Sequence, residues 1–130
     1  MPETMSTSAE RPTPQPKDFV ARHTELKQGF RTLHRELPGP MAGFNSLHAA
    51  AVQDGVLTRA TKELIALAIG ICGHCDGCIA FHVHDALKAG ATRAEVEEAI
   101  GVAILMGGGG AAVYASDAMT ALDQFETTST

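Results

Sequence analysis

Glu63-Leu-Ile-Ala-Leu-Ala-Ile-Gly-Ile-Cys72-Gly-His-Cys75-Asp-Gly-Cys78-Ile-Ala-Phe-His82 is the stretch from which both the fold and the chemistry of this chain are read. Its first half is an apolar run without strand-like alternation, and Gly73 interrupts it. The pattern predicts two successive helices. Thr58 caps the first, which runs to about Ile71, and the second runs from about Cys75 to Lys88. Gly90 is the expected left-handed residue that closes the second.

Towards the N-terminus, Asp18 is a plausible cap for a helix on which Phe19, Leu26, Phe30, Leu33 and Leu37 share one apolar face. Pro38-Gly39-Pro40 stops that helix. Met41 to Val52 reads as another, with Phe44, Leu47, Ala51 and Val52 on its apolar side, and Asp54-Gly55 marks a turn. Towards the C-terminus, Thr92-Arg-Ala-Glu95 is a capping box that starts a helix at Arg93. Val96, Ile100, Ala103 and Ile104 give its buried stripe. Four glycines follow, Gly107 to Gly110, and a last helix covers roughly Ala111 to Phe125. The glycines read either as a flexible connection or as a close approach of backbone to a neighbour. The fold class is all-α, with about six helices. Residues 1–17, with Pro2, Pro12, Pro14 and Pro16, read as a mobile or partner-packing arm. Residues 18–125 form a single helical domain, and 126–130 a frayed tail.

Composition narrows the function. The chain has 130 residues, enough for one domain, with 45% hydrophobic and 19% charged residues, a globular balance. All six prolines fall in the first 40 residues, which leaves the rest free to be helical. A net charge of −5 argues against an electrostatic nucleic-acid binder. The first residues lack a basic-then-apolar leader, and no run of about 18 apolar residues is free of polar breaks, so no membrane partner is expected. The three cysteines all lie between Cys72 and Cys78, which is not the dispersed, even set of a secreted disulfide scaffold. A cytoplasmic location follows as the default, where crowded cysteines are catalytic or metal-binding.

The spacing of the reactive residues points to thiol chemistry. Residues three apart share a helical face, so the sulfurs of Cys75 and Cys78 can form a reversible disulfide. Cys75 falls at the helix start, where the partial positive charge favours a thiolate over a thiol of ordinary pKa about 8.5. His82 lies one turn beyond Cys78 on the same face and can take a thiol proton. If the chain reverses near Gly73, Glu63 and His82 both lie roughly 14 to 15 Å from the bend, level across the hairpin. A carboxylate there would orient the imidazole. Rotation about each helix axis decides whether the two groups face.

These residues, with Ala89-Gly-Ala-Thr92 and Glu95 to Ala99, resemble the AhpD-like (alkylhydroperoxidase) branch of the carboxymuconolactone decarboxylase family. The diagnostic pattern is Glu, eleven residues, Cys-x-x-Cys, three residues, His, and the chain meets it at every position. The likeness is strong from about Leu57 to Ala115 and weak before residue 40. It implies an AhpD-like helical fold completed by homo-oligomerisation, as a trimer or hexamer. It also implies a thiol-dependent peroxidase or disulfide reductase acting on organic hydroperoxides or peroxide. By position, Cys78 is the peroxidatic thiolate, Cys75 resolves its sulfenic acid, and Glu63 with His82 forms the proton relay. No bound cofactor is implied; an external dithiol, lipoyl-type or thioredoxin-type, would reopen the disulfide. In the best-known members a further histidine precedes the second cysteine; here that position is Gly77. His84 points to another helix face.

Three rival readings stand beside this one. Cys72, Cys75, Cys78 and His82 are a legitimate zinc set and imitate a ferredoxin run. A lactone decarboxylase is the family's other named activity. A slow redox sensor would keep the disulfide chemistry without rapid turnover. Cys72 itself reads as a small buried hydrophobe.

Overall fold

In the computed structural model, which describes residues 9–128, five helices follow one another. They are α1 (Phe19–Glu36), α2 (Pro38–Val52), α3 (Arg59–Cys72), α4 (Asp76–Lys88) and α5 (Arg93–Thr128). Among the described residues there is no strand. Most of the helix starts are the expected ones. The Asp18 side chain accepts from the Ala21 N–H, and Thr58 from that of Thr61. The capping box closes in both directions, Thr92 Oγ1 taking the Glu95 N–H and Glu95 the Thr92 N–H. Pro38 ends α1 and also opens α2 at once, because the first turn of a helix leaves its N–H groups unpaired and loses nothing to proline.

The joint between α3 and α4 is a Schellman turn. The His74 N–H bonds to Ile71 O and the Cys75 N–H to Gly70 O. His74, not Gly73, takes the left-handed conformation there, with φ 55°. The same motif closes α4, with Gly90 at φ 99° and the Ala91 N–H on Ala86 O. Backbone bonds thus fix the turn before α4 and the one after it, and α3, α4 and α5 all pack on one another.

Leu67 and Ile71 of α3, Ile79 and Val83 of α4, and Val96, Ile100 and Leu122 of α5 make the core, with Phe19 of α1. Small residues let the helices close. Ala103, Ala111, Ala115, Ala118 and Ala121 are all buried along α5. A Cβ on Gly70 would sit 2.8 Å from Cys78 Cβ, so only glycine allows α4 to cross α3 at that point.

One expectation holds and three need correction. The expected pair of C-terminal helices holds: α5 is two helices run together across a kink at Gly108, whose φ of 67° and ψ of −148° are non-helical. The glycine run is thus a bend held by close packing, with Gly107 against Cys72 and Gly110 against His74. Residues 126–128 continue the helix instead of fraying. Several residues of the apolar faces, Leu33, Leu37, Phe44, Leu47 and Ala51, are exposed, and so is Ile104 of the expected buried stripe. Finally, α5 does contain a stretch long and apolar enough to cross a membrane by length and composition, with a mean hydropathy of 1.6. Its buried alanines pack on the helices of this domain, and Gly108 breaks it. Residues 1–8 of the proposed arm lie outside the described residues; its last residue, Lys17, pairs with Asp117 at 2.7 Å.

Candidate active site

Cys75 is the N-cap of α4, and Cys78 lies in the first turn. The two are joined as a disulfide with Cα atoms 5.2 Å apart. The Cys75 sulfur also accepts the Cys78 backbone N–H at 3.1 Å, so the helix N-terminus points at it. One turn on, His82 Nδ1 lies 2.7 Å from Glu63 Oε2 of α3. The groups that helical rise placed level with each other do face. Glu63 is fully buried, and His82 retains 19% of its side-chain exposure. A carboxylate so buried is stabilised by a partner that shares its charge or proton, which the imidazole provides. The second oxygen, Glu63 Oε1, has no hydrogen-bond partner, and Arg59 Nε stands 3.7 Å from it.

The disulfide and His82 line a cavity of about 620 Å³ between α1, α2 and α4. Leu26, Phe30, Phe44 and Phe81 supply its apolar wall, with Phe30 stacked on Phe44 and tilted against Phe81. Arg22, Lys27 and Arg31 of α1 stand at its side, and His48 of α2 and Asp85 of α4 are among its other polar lining residues.

His48 and Asp85 escaped the sequence reading. The available signal was helical spacing: His48 is four residues after Phe44, on the same side of α2. One nitrogen of His48, one oxygen of Glu63 and one of Asp85 lie within 4.8 Å of one another.

Cys72 is apart from this group. Half-buried, it donates to Ala103 O at 3.3 Å and packs on α5. In this oxidised form the disulfide occupies two sulfurs of the zinc set, so Cys72, Cys75, Cys78 and His82 are not gathered as metal ligands. His84 faces the other way, as expected, bonded to Asp85 and stacked 4.2 Å from the buried His23. Burial, then the neighbouring His84, pushes the His23 imidazole below its ordinary pKa.

An all-helical fold with a Cys-x-x-Cys helix start beside a buried Glu–His pair defines a class of thiol protein. Residues 38–121 match the carboxymuconolactone decarboxylase family, and the chain belongs to that family. Its AhpD-like branch is consistent with this membership. A family protein of Legionella pneumophila has the same fold, with 40% identity, a TM-score of 0.80, and coverage of 82% of this chain and 96% of that one. A family protein of Thermotoga maritima superimposes with a TM-score of 0.71 at 27% identity over 87% of this chain and 93% of its own. An uncharacterised protein of Cupriavidus necator is 42% identical over 106 residues, 82% of this chain and 94% of that one.

Proposed function

We propose that this chain is a thiol peroxidase of the alkylhydroperoxidase type, working through Cys78 and Cys75. The observation that carries the reading is the Glu63–His82 contact of 2.7 Å set one turn from a disulfide-forming pair. In the reduced protein His82 takes the Cys78 proton, and Glu63 holds the imidazole in position. The thiolate attacks one peroxide oxygen, giving Cys78 sulfenic acid and an alcohol. The Cys75 thiol then displaces water from that sulfenic acid and closes the disulfide. The apolar cavity wall suits organic hydroperoxides. The suggested antioxidative role of the Thermotoga relative agrees with this reading.

An external dithiol completes the cycle, donating two electrons and two protons. When its thiolate attacks the Cys78 sulfur, Cys75 departs as a thiolate stabilised by the α4 N-terminus. Lipoyl-type and thioredoxin-type donors both fit this chemistry. Copies of the chain assemble as a trimer or hexamer through the exposed apolar faces of the helices.

The test is titration of thiols before and after one equivalent of peroxide, with mass mapping of the cysteines. A Cys75–Cys78 disulfide is expected. Cys78→Ser abolishes peroxide consumption, and Cys75→Ser leaves a trappable sulfenic acid on Cys78. Turnover by Cys78→Ser overturns the assignment.

A further inference from the structure

Glu63 holds one proton-accepting oxygen against His82 and leaves the other, Oε1, buried without a hydrogen-bond partner. Arg59 Nε offsets its charge from 3.7 Å, outside hydrogen-bond reach, so the oxygen's accepting capacity is still unused. The groups that come near the carboxylate from the cavity side are His48 and Asp85, each with an atom within 4.8 Å of a Glu63 oxygen. No direct hydrogen bond joins His48 to Glu63 Oε1, and a single water can bridge groups within that limit. His48 also lines the cavity that holds Cys78, where the peroxide must lie to be attacked.

We infer that His48 is a further catalytic residue: the general acid that protonates the departing alkoxide. The inference rests on the peroxidase reading above. As the Cys78 sulfur bonds to one peroxide oxygen, the O–O bond breaks and RO⁻ leaves. Sulfur loses two electrons, and the peroxide gains them. Cys78–SH plus ROOH gives Cys78–SOH plus ROH, so the thiol proton released on one side must be returned on the other. His82 receives it from Cys78, and His48 delivers one to RO⁻. Glu63 links the two histidines, through Oε2 to His82 and across the short gap to His48, and restores their protonation between turnovers. Asp85 flanks His48, and its Oδ1 is anchored by His84 at 2.8 Å. A histidine is suited to this work because its ordinary titration falls near neutrality.

The leaving group makes the role testable. An alkyl hydroperoxide expels an alkoxide, as basic as the ion of water with its pKa of about 15.7, which gains greatly from a proton. A peracid expels a carboxylate, whose conjugate acid has a pKa near 4 and which departs unaided. The experiment compares wild-type and His48→Gln protein, measuring thiol loss by stopped flow with tert-butyl hydroperoxide and with peracetic acid. We expect His48→Gln to lose about 100-fold with the hydroperoxide. Its rate with the peracid stays near wild type, which also shows that the site is folded. Equal losses with both oxidants, or no loss with either, overturn the role of His48 and leave the peroxidase reading intact. Wild-type protein that is oxidised by neither overturns both.

Discussion

Glu63 has no contact with solvent, yet it lies among apolar neighbours with only one of its oxygens hydrogen-bonded. Exchange for glutamine keeps its size and removes its charge. Glu63→Gln is therefore expected to remain folded and to slow Cys78 oxidation by about 100-fold, read as the rate of thiol loss under excess peroxide. An unchanged rate would remove Glu63 from the relay. The pairing with His82 was legible because helical rise is fixed: equal distances from a bend put two side chains level. His48 was not, since it arrives from α2 across the 53–58 connection, whose path no repeat dictates. His23 makes a separate prediction. Burial and His84 depress its pKa, Lys27 adds to this, and Asp85 opposes it. The folded protein then binds fewer protons than the unfolded chain. Stability from this source is complete above the ordinary histidine value of about 6.5 and is lost as pH falls through and below it. Urea unfolding across that range should show the decline, and His23→Gln should flatten it.

Caps and turns made the individual helices readable. Thr58, Asp18 and the Thr92–Glu95 box act on neighbouring backbone, so their effect needs no tertiary context. The turn near Gly73 was legible, but which residue takes the left-handed conformation there was not. The Schellman bonds of Gly70 and Ile71 require that conformation one residue later, and His74 accepts it while stacking parallel to Tyr114 at 4.7 Å. The bend at Gly108 was equally unreadable, because any of four glycines could have supplied it. Gly70 is where an element-scale change reaches the site. A methyl group there meets the Cys78 Cβ at 2.8 Å, and neither atom belongs to a flexible chain end. Gly70→Ala must push α4 from α3, and with it His82 from Glu63. A loss of about 1 to 3 kcal/mol in unfolding free energy is expected, together with slower oxidation of Cys78. Retention of both would show that the crossing can relax without disturbing the pair.

At the scale of the whole molecule, the apolar periodicity of the sequence was sound while its partners were missing. Phe44 and Leu47 on α2, Ile65 and Ile69 on α3, and Val102, Leu105 and Met106 on α5 follow helical spacing, yet all are exposed. Leu105 keeps 79% of its surface and Ile69 66%. One chain cannot fold further to cover them, since the opposite faces of α3 and α5 already form the core. Each such side chain gains about 1.5 to 3 kcal/mol on burial, so association of a few per copy offsets the cost of assembly. The exposure also falls on α3 and α5, the helices that hold Glu63 and the Gly108 bend, so assembly would stiffen the elements behind the site. Sedimentation equilibrium should give a mass several times the 13.6 kDa of one chain. The double variant Ile69→Asp, Leu105→Asp should fall towards that single-chain mass and unfold at lower temperature. A wild-type protein that sediments as one copy at all concentrations would show that these faces await some other surface.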